Sequence, residues 1–301
     1  MSRSTVAQSR LALILVAVAA TLWGTVGVAT RQLVSVNGLP VTSIGFFRLA
    51  LAVPVLLVAC VGVRGRGLWQ ARGREIGLIA TIGAMLGLYQ LCFIQAVVRA
   101  GVTIATLVTL CAAPIMVMLF NTLLTRQRPS RWEAGALGAA LVGTALLVGT
   151  PSAEAGQIGL GAVYALGSAL GYAVMLMCGR RVADHAHPLQ INALAFGIGA
   201  VILLVFTLPR GPVVQVPLAG WGLLFYLGLV PTALGYVLFL RGVRDIPATR
   251  ASIITLIEPL TAALLAWGLF GERLSGVGWA GALLLVAALA GLMRQQIKAG
   301  Q

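Results

Sequence analysis

Apolar stretches of roughly 20 residues, enough to cross the hydrocarbon core of a bilayer, recur along the whole chain. They run near residues 11–30, 41–63, 76–97, 102–123 and 133–150, then 158–179, 189–208, 218–240, 248–270 and 275–293. The connections between them are short and rich in Gly, Pro and Arg, and they leave no room for a soluble domain. Of the 301 residues, 59% are hydrophobic and 9% are charged, against about 25% charged in soluble domains. A soluble fold of this composition exposes apolar patches that soluble monomers avoid, whereas lipid accommodates them. The first stretch follows Arg3 and Arg10 and continues to Arg31, too long for the apolar region of a signal peptide, so it reads as an uncleaved helix.

The formal charge of +14 does not point to nucleic acid. The basic residues form no single stripe with interleaved aromatics. They sit between the apolar runs, where they orient a membrane protein. With ten spans and a cytoplasmic N-terminus, sixteen basic residues fall on the cytoplasmic side, four on the other, and Arg48 inside a span. That asymmetry predicts an inner (plasma) membrane protein with both termini in the cytoplasm.

The chain also repeats itself. The stretch from Leu88 to Ser130 aligns with that near Leu234 to Ser275, with Pro114 on Pro259, Gln127 on Glu272, Arg128 on Arg273 and Ser130 on Ser275, all at an offset of 145. Trp23 lies against Tyr172 in an earlier match, and Pro40 and Pro188 each introduce the following span. Five spans per copy is an odd number, so the second copy enters the membrane from the opposite face. The expected fold is an all-α membrane protein of ten transmembrane helices arranged as two inverted five-helix repeats, 1–152 and 153–301. Inverted repeats are a common architecture of secondary transporters, with the substrate site near mid-membrane between them.

Several short motifs carry a resemblance. They are Leu22-Trp23-Gly24, Phe47-Arg48-Leu49, Thr249-Arg250-Ala251-Ser252, Glu258-Pro259 and Gly271-Glu272-Arg273-Leu274-Ser275. In this order and spacing the chain resembles the ten-helix drug/metabolite transporter superfamily, and specifically its EamA-type metabolite exporters, over residues 11–293. The first half departs from the pattern: Gln127 stands where a glutamate is common, and Ala113 precedes Pro114 where the second half has Glu258. The resemblance implies export of amino acids or related small metabolites. It also fits a lipid or lipid-linked metabolite flippase. A structural or assembly subunit is a third reading, which the repeat and the paired prolines disfavour.

Ionisable groups inside a bilayer are costly and mark function. Glu258 lies about ten residues into its span and Arg48 about eight into its own, which at ~1.5 Å per residue places both near mid-membrane. Arg48 suits a substrate carboxylate. Glu258 suits an amine, or a proton exchanged for substrate. A structural ion pair between the two is the plainer reading. Pro114 and Pro259 remove helix hydrogen bonds at matched places and are candidate kinks or gating points. Trp23, Thr25, Tyr89, Gln90 and Gln95 lie near the same depth and are candidate cavity residues. So are Thr106, Thr109, Tyr172, Asn192, Tyr236 and Thr255. Gln90 and Asn192 stand out, because a buried amide requires partners.

Other features read as structural. Ala139 with Gly143, Gly167 with Gly171, and Ala287 with Gly291 allow close approach of helices. Trp69, Trp132 and Trp279 sit at span ends as interface anchors. His185 and His187 read as loop residues rather than metal ligands. The four cysteines form no CxxC pair, so no metal or cofactor is expected. No Walker loop follows an apolar run and no acidic pair sits inside a span, which argues against ATP-driven transport and catalysis. The expected partners are a small-molecule substrate, membrane lipids and protons, with the chain acting as a monomer.

Overall fold

A computed structural model describes residues 3–64, 73–126, 128–148, 158–208, 216, 218–270 and 276–299. Among them there is no strand, and helices follow one another in the order α1 (Arg3–Asn37), α2 (Val41–Arg64), α3 (Arg74–Thr125), α4 (Arg131–Val148), α5 (Ile158–Val182) and α6 (Pro188–Thr207). Then come α7 (Leu218–Leu227), a π-helical segment (Gly228–Leu234), α8 (Gly235–Val243), α9 (Ala248–Ile254), α10 (Ile257–Phe270) and α11 (Gly276–Ala299). Eight segments are long and apolar enough to cross a membrane, and Gly276–Gly291 is a shorter apolar helix. With α4 they account for the ten expected positions. Gln127, Glu272, Arg273, Ser275 and Trp69, with the boundary expected at 152, lie outside the described residues.

The expected third and fourth spans form one continuous 52-residue helical run, α3. Drawn straight, such a run is about 78 Å long, more than twice a ~30 Å hydrocarbon core. Its neighbours show that it doubles back. Gly171 of α5 lies against Tyr89, Gly167 against Cys92 and Gly161 against Ala100. Thr109, nine residues further along, then donates to the carbonyl of Ala165 at 3.3 Å. Contact with α5 therefore advances to Gly161 and returns, and α3 supplies two spans as the hydropathy predicts.

The other packing follows from small residues. α4 packs chiefly on α11, where Gly143 meets the backbone of Gly281 and Leu285. Gly167 and Gly171 seat α5 on α3. The pair Ala287 and Gly291 does not behave as expected: both are exposed, and nothing lies within 4 Å of a Cβ placed on Gly291. α1 packs on α8 and α10, α5 packs on α3, and α2 packs on α6. Apolar side chains such as Val58, Val98 and Leu283 are exposed, as lipid contact requires. Trp132 and Trp279 are exposed too, and Trp279 meets Trp267 edge-on at 6.1 Å between ring centres.

One end of the bundle is basic. There Arg180 of α5 donates to the carbonyl of Val243, the last residue of α8, and to that of Ile246 beyond it. Asp184 pairs with Arg244 at 3.3 Å, and Glu133 of α4 pairs with Arg250 of α9 at 2.9 Å. His187 has a structural role at this end: its Nδ1 accepts the amide of Leu189 at 3.3 Å and caps α6, with Pro188 in the first turn.

Candidate functional site

Five polar side chains from five separate segments lie near one another in the bundle interior. They are Arg48 (α2), Tyr89 (α3), Tyr172 (α5), Tyr236 (α8) and Glu258 (α10). Arg48 and Glu258 lie close enough for their charges to act on one another and on the phenols of Tyr89 and Tyr236, without a direct contact between them. The charge of Glu258 also acts on Tyr172, whose hydroxyl is bound to Thr255. All five lie within helices yet remain half-buried. Surface left accessible on side chains that converge in this way is what a cavity between helices requires.

Aromatic rings close the space. Tyr89 lies 6.3 Å from Tyr172 and stacks on Phe93 at 6.4 Å between ring centres. Tyr236 meets Trp23 at 4.8 Å and Phe196 at 5.1 Å, the latter edge-on. Edge-on and tilted contacts of this kind place ring edges against ring faces, the favourable quadrupole arrangement.

Two interruptions of helix flank the charges. The ninth span breaks at Thr255 and Leu256, between α9 and α10. The expected kink at Pro259 is thus displaced toward the N-terminus. Pro259 sits in the first turn of α10, where a missing N–H leaves no bond unmade. Glu258 occupies that same first turn, its own amide donating to Thr255 at 3.0 Å. A carboxylate there meets the positive end of the helix dipole. The Tyr172 hydroxyl donates to Thr255 Oγ1 at 3.2 Å, and Thr255 donates onward to the carbonyl of Ser252 at 2.8 Å. Pro114 is different: it is buried inside α3, which runs on through it, so the two prolines do not make matching breaks.

The second interruption is the π-helical segment, Gly228–Leu234, with Pro231 within it. Proline removes a donor, and the wider winding accommodates the change. The indole N–H of Trp23 donates to the carbonyl of Pro231 at 3.0 Å. Thr232, fully buried, accepts from Arg48 Nε at 3.3 Å. The π-helical segment therefore positions the guanidinium. Neither Pro231 nor Thr232 is among the residues singled out from the sequence. The signal available was Gly228, Pro231 and Gly235 within one apolar run.

The remaining candidates are distributed elsewhere. Thr25 donates to Leu22 at 2.7 Å and accepts from Tyr226 at 2.8 Å, joining α1 to α7. Gln95 accepts from Arg99, whose guanidinium lies 4.8 Å from the Tyr164 ring centre, in a separate cluster near Ala100. Thr109 is buried against α5. Gln90 lies over Gly45 of α2, with its amide 3.8 Å from a Cβ placed there. Thr106 is half-buried on the returning arm of α3. Asn192 is buried on α6, and its Nδ2 finds no acceptor among the described residues. No cluster of three or more His, Cys, Asp or Glu suited to a metal occurs among the described residues.

A family model described as the EamA-like transporter family matches residues 10–149 and again 159–294. A relative from Bacillus subtilis (strain 168), named an uncharacterized transporter, YwfM, is 29% identical, over 91% of this chain and 90% of its own. An uncharacterized transporter of Archaeoglobus fulgidus is also 29% identical, over 90% of this chain and 92% of its own. The uncharacterized inner membrane transporter YicL of Salmonella typhimurium is 27% identical, over 91% and 92% respectively. A solved crystal structure superimposes with a TM-score of 0.81 at 21% identity, covering 93% of this chain and 96% of that one, a likeness in fold.

Proposed function

The chain belongs to the EamA-like transporter family, and from that premise we propose that it is a secondary transporter exporting amino acids or related small metabolites across the inner membrane by alternating access. The observation that carries the substrate class is the opposed pair Arg48 and Glu258, set about one tyrosine-lined space on helices from the two family-matched stretches. A zwitterion has the complementary charges. Thr232 holds Nε of Arg48, and the remaining guanidinium donors suit a carboxylate taken in the bidentate fashion. Glu258 takes the ammonium group, or the proton exchanged for it.

The alternating-access part rests on the repeat. The family model matches twice, and each match spans five of the ten segments. The pairings exchange when the halves are interchanged: α5 on α3 corresponds to α1 on α8 and α10, while α2 with α6 and α4 with α11 correspond to themselves. This supports two inverted repeats about the cavity, with α4 and α11 at the periphery. The basic residues orient the basic end toward the cytoplasm. Transport draws on the substrate gradient or on protons.

The test is counterflow in proteoliposomes loaded with a panel of amino acids and small amines. Accumulation of one class by the wild type, with KM raised roughly ten- to hundred-fold in Arg48→Ala for the loss of a charged hydrogen bond, is the expected result. No accumulation across the panel moves the reading to a lipid-linked substrate.

A further inference from the structure

At the basic end of the bundle α9 is buried, and an ion pair ties it to the other family-matched half. Every residue from Ala248 to Leu256 is buried except Arg250. Arg250 reaches out of α9 to Glu133 at 2.9 Å, with side-chain exposures of 25% and 13%. The two residues belong to different family-matched stretches, 10–149 and 159–294. Glu133 is itself held rigidly. Its Oε2 accepts the amide of Ser130 at 3.1 Å, while its own amide donates to Ser130 Oγ at 3.1 Å. This reciprocal capping box opens α4 and leaves Oε1 for Arg250. A charge fixed by its own helix cap loses little freedom on pairing, unlike the usual surface ion pair.

A second observation, made on another element, indicates that this closure is one state of two. Gln190 and Asn192 of α6 lie near the same end and are 3% and 2% exposed. Their Nε2 and Nδ2 atoms find no acceptor among the described residues. Buried donors without partners are unfavourable, and a state that opens this end to water relieves them.

We propose that Glu133–Arg250 is the latch that holds the basic end closed between the two halves and that parts once in each transport cycle. The latch rests on the alternating-access reading above. The capping box allows a clean separation of roles. Glu133→Gln keeps the box, because glutamine also caps, and removes the charge that Arg250 needs. Ser130→Ala removes the cap and keeps the ion pair.

The experiment is hydrogen–deuterium exchange of the full chain in lipid nanodiscs without substrate. Glu133→Gln and Arg250→Gln each raise exchange of the amides from Ala248 to Leu256 about tenfold or more, and the double variant adds nothing further. Ser130→Ala raises exchange only in the first turn of α4. Protection of 248–256 unchanged in both single variants overturns the latch. So does equal loss of that protection in Ser130→Ala, which makes the pair an extension of the helix cap. Counterflow by the wild type, measured separately, decides the transport reading without bearing on the exchange pattern.

Discussion

The indole of Trp23 on α1 donates to the carbonyl of Pro231, 208 residues away, at 3.0 Å and in a buried position. The same ring lies 4.8 Å from Tyr236 and 5.0 Å from Phe239. One side chain thus satisfies a carbonyl within the π-helical segment and backs one of the cavity tyrosines. The geometry of that segment in turn sets Thr232 against Arg48.

Trp23→Phe keeps most of the ring packing and removes the donor. Loss of one hydrogen bond costs about 0.5–1.5 kcal/mol. The expected result is a lower Tm and faster amide exchange confined to the segment from Gly228 to Gly235, with Trp23→Leu worse than Trp23→Phe. Unchanged exchange there would show that the π-helical winding stands without the indole.

Tyr172→Phe separates cavity function from stability. Thr255 keeps its own bond to Ser252 at 2.8 Å when the phenol is lost, so the stability cost is small, under about 1 kcal/mol. Transport falls by a larger factor, because the phenol holds Thr255 at the break that precedes Glu258 and α10. Thr255→Val, combined with Tyr172→Phe in a double-mutant cycle, reports the coupling across the break between α9 and α10. Equal losses of stability and transport would reduce Tyr172 to a packing residue.

Much of this arrangement is legible in the sequence, and the reasons for what is not are physical. Hydropathy over twenty residues locates the spans, including the two that α3 supplies, because crossing lipid fixes both length and composition. Arg48 and Glu258 stand out because charge at mid-membrane is rare. The break at Thr255 and Leu256 is displaced from Pro259, since proline tolerates a first turn and the winding fails before it. Trp23 reads as a cavity wall until the carbonyl of Pro231 is seen beside it, a contact that no local pattern encodes. Glu133 and Arg250 are likewise 117 residues apart. The Ser130-x-x-Glu133 pattern shows the cap but says nothing of a partner on α9.

Proton coupling has its own test at Glu258. If this carboxylate carries the exchanged proton, an imposed proton gradient drives substrate opposite to proton flow in the wild type. Glu258→Gln cannot release or take up a proton at that position. It is expected to exchange substrate for substrate while losing the response to the gradient. A wild type indifferent to the gradient assigns Glu258 to the substrate amine alone and the protein to facilitated exchange.

Gly24 and Gly27 lie one turn apart on α1 and predict opposite outcomes for the same substitution. A Cβ on Gly24 meets Thr261 Cβ at 2.5 Å and the carbonyl of Glu258 at 2.7 Å. Neither is the free end of a flexible side chain, so α1 must move away from α10. Such overpacking costs about 1–3 kcal/mol, and the displacement falls on the first turn of α10, where Glu258 resides. Nothing lies within 4 Å of a Cβ on Gly27. There alanine adds only helix propensity, worth up to ~1 kcal/mol. Gly24→Ala is therefore expected to lower both Tm and transport, with Gly27→Ala neutral or stabilising and transport retained. Thermal unfolding in detergent and counterflow on the same preparations read both. Equal tolerance of alanine at the two positions would mean that the close approach of α1 to α10 does not hold the site.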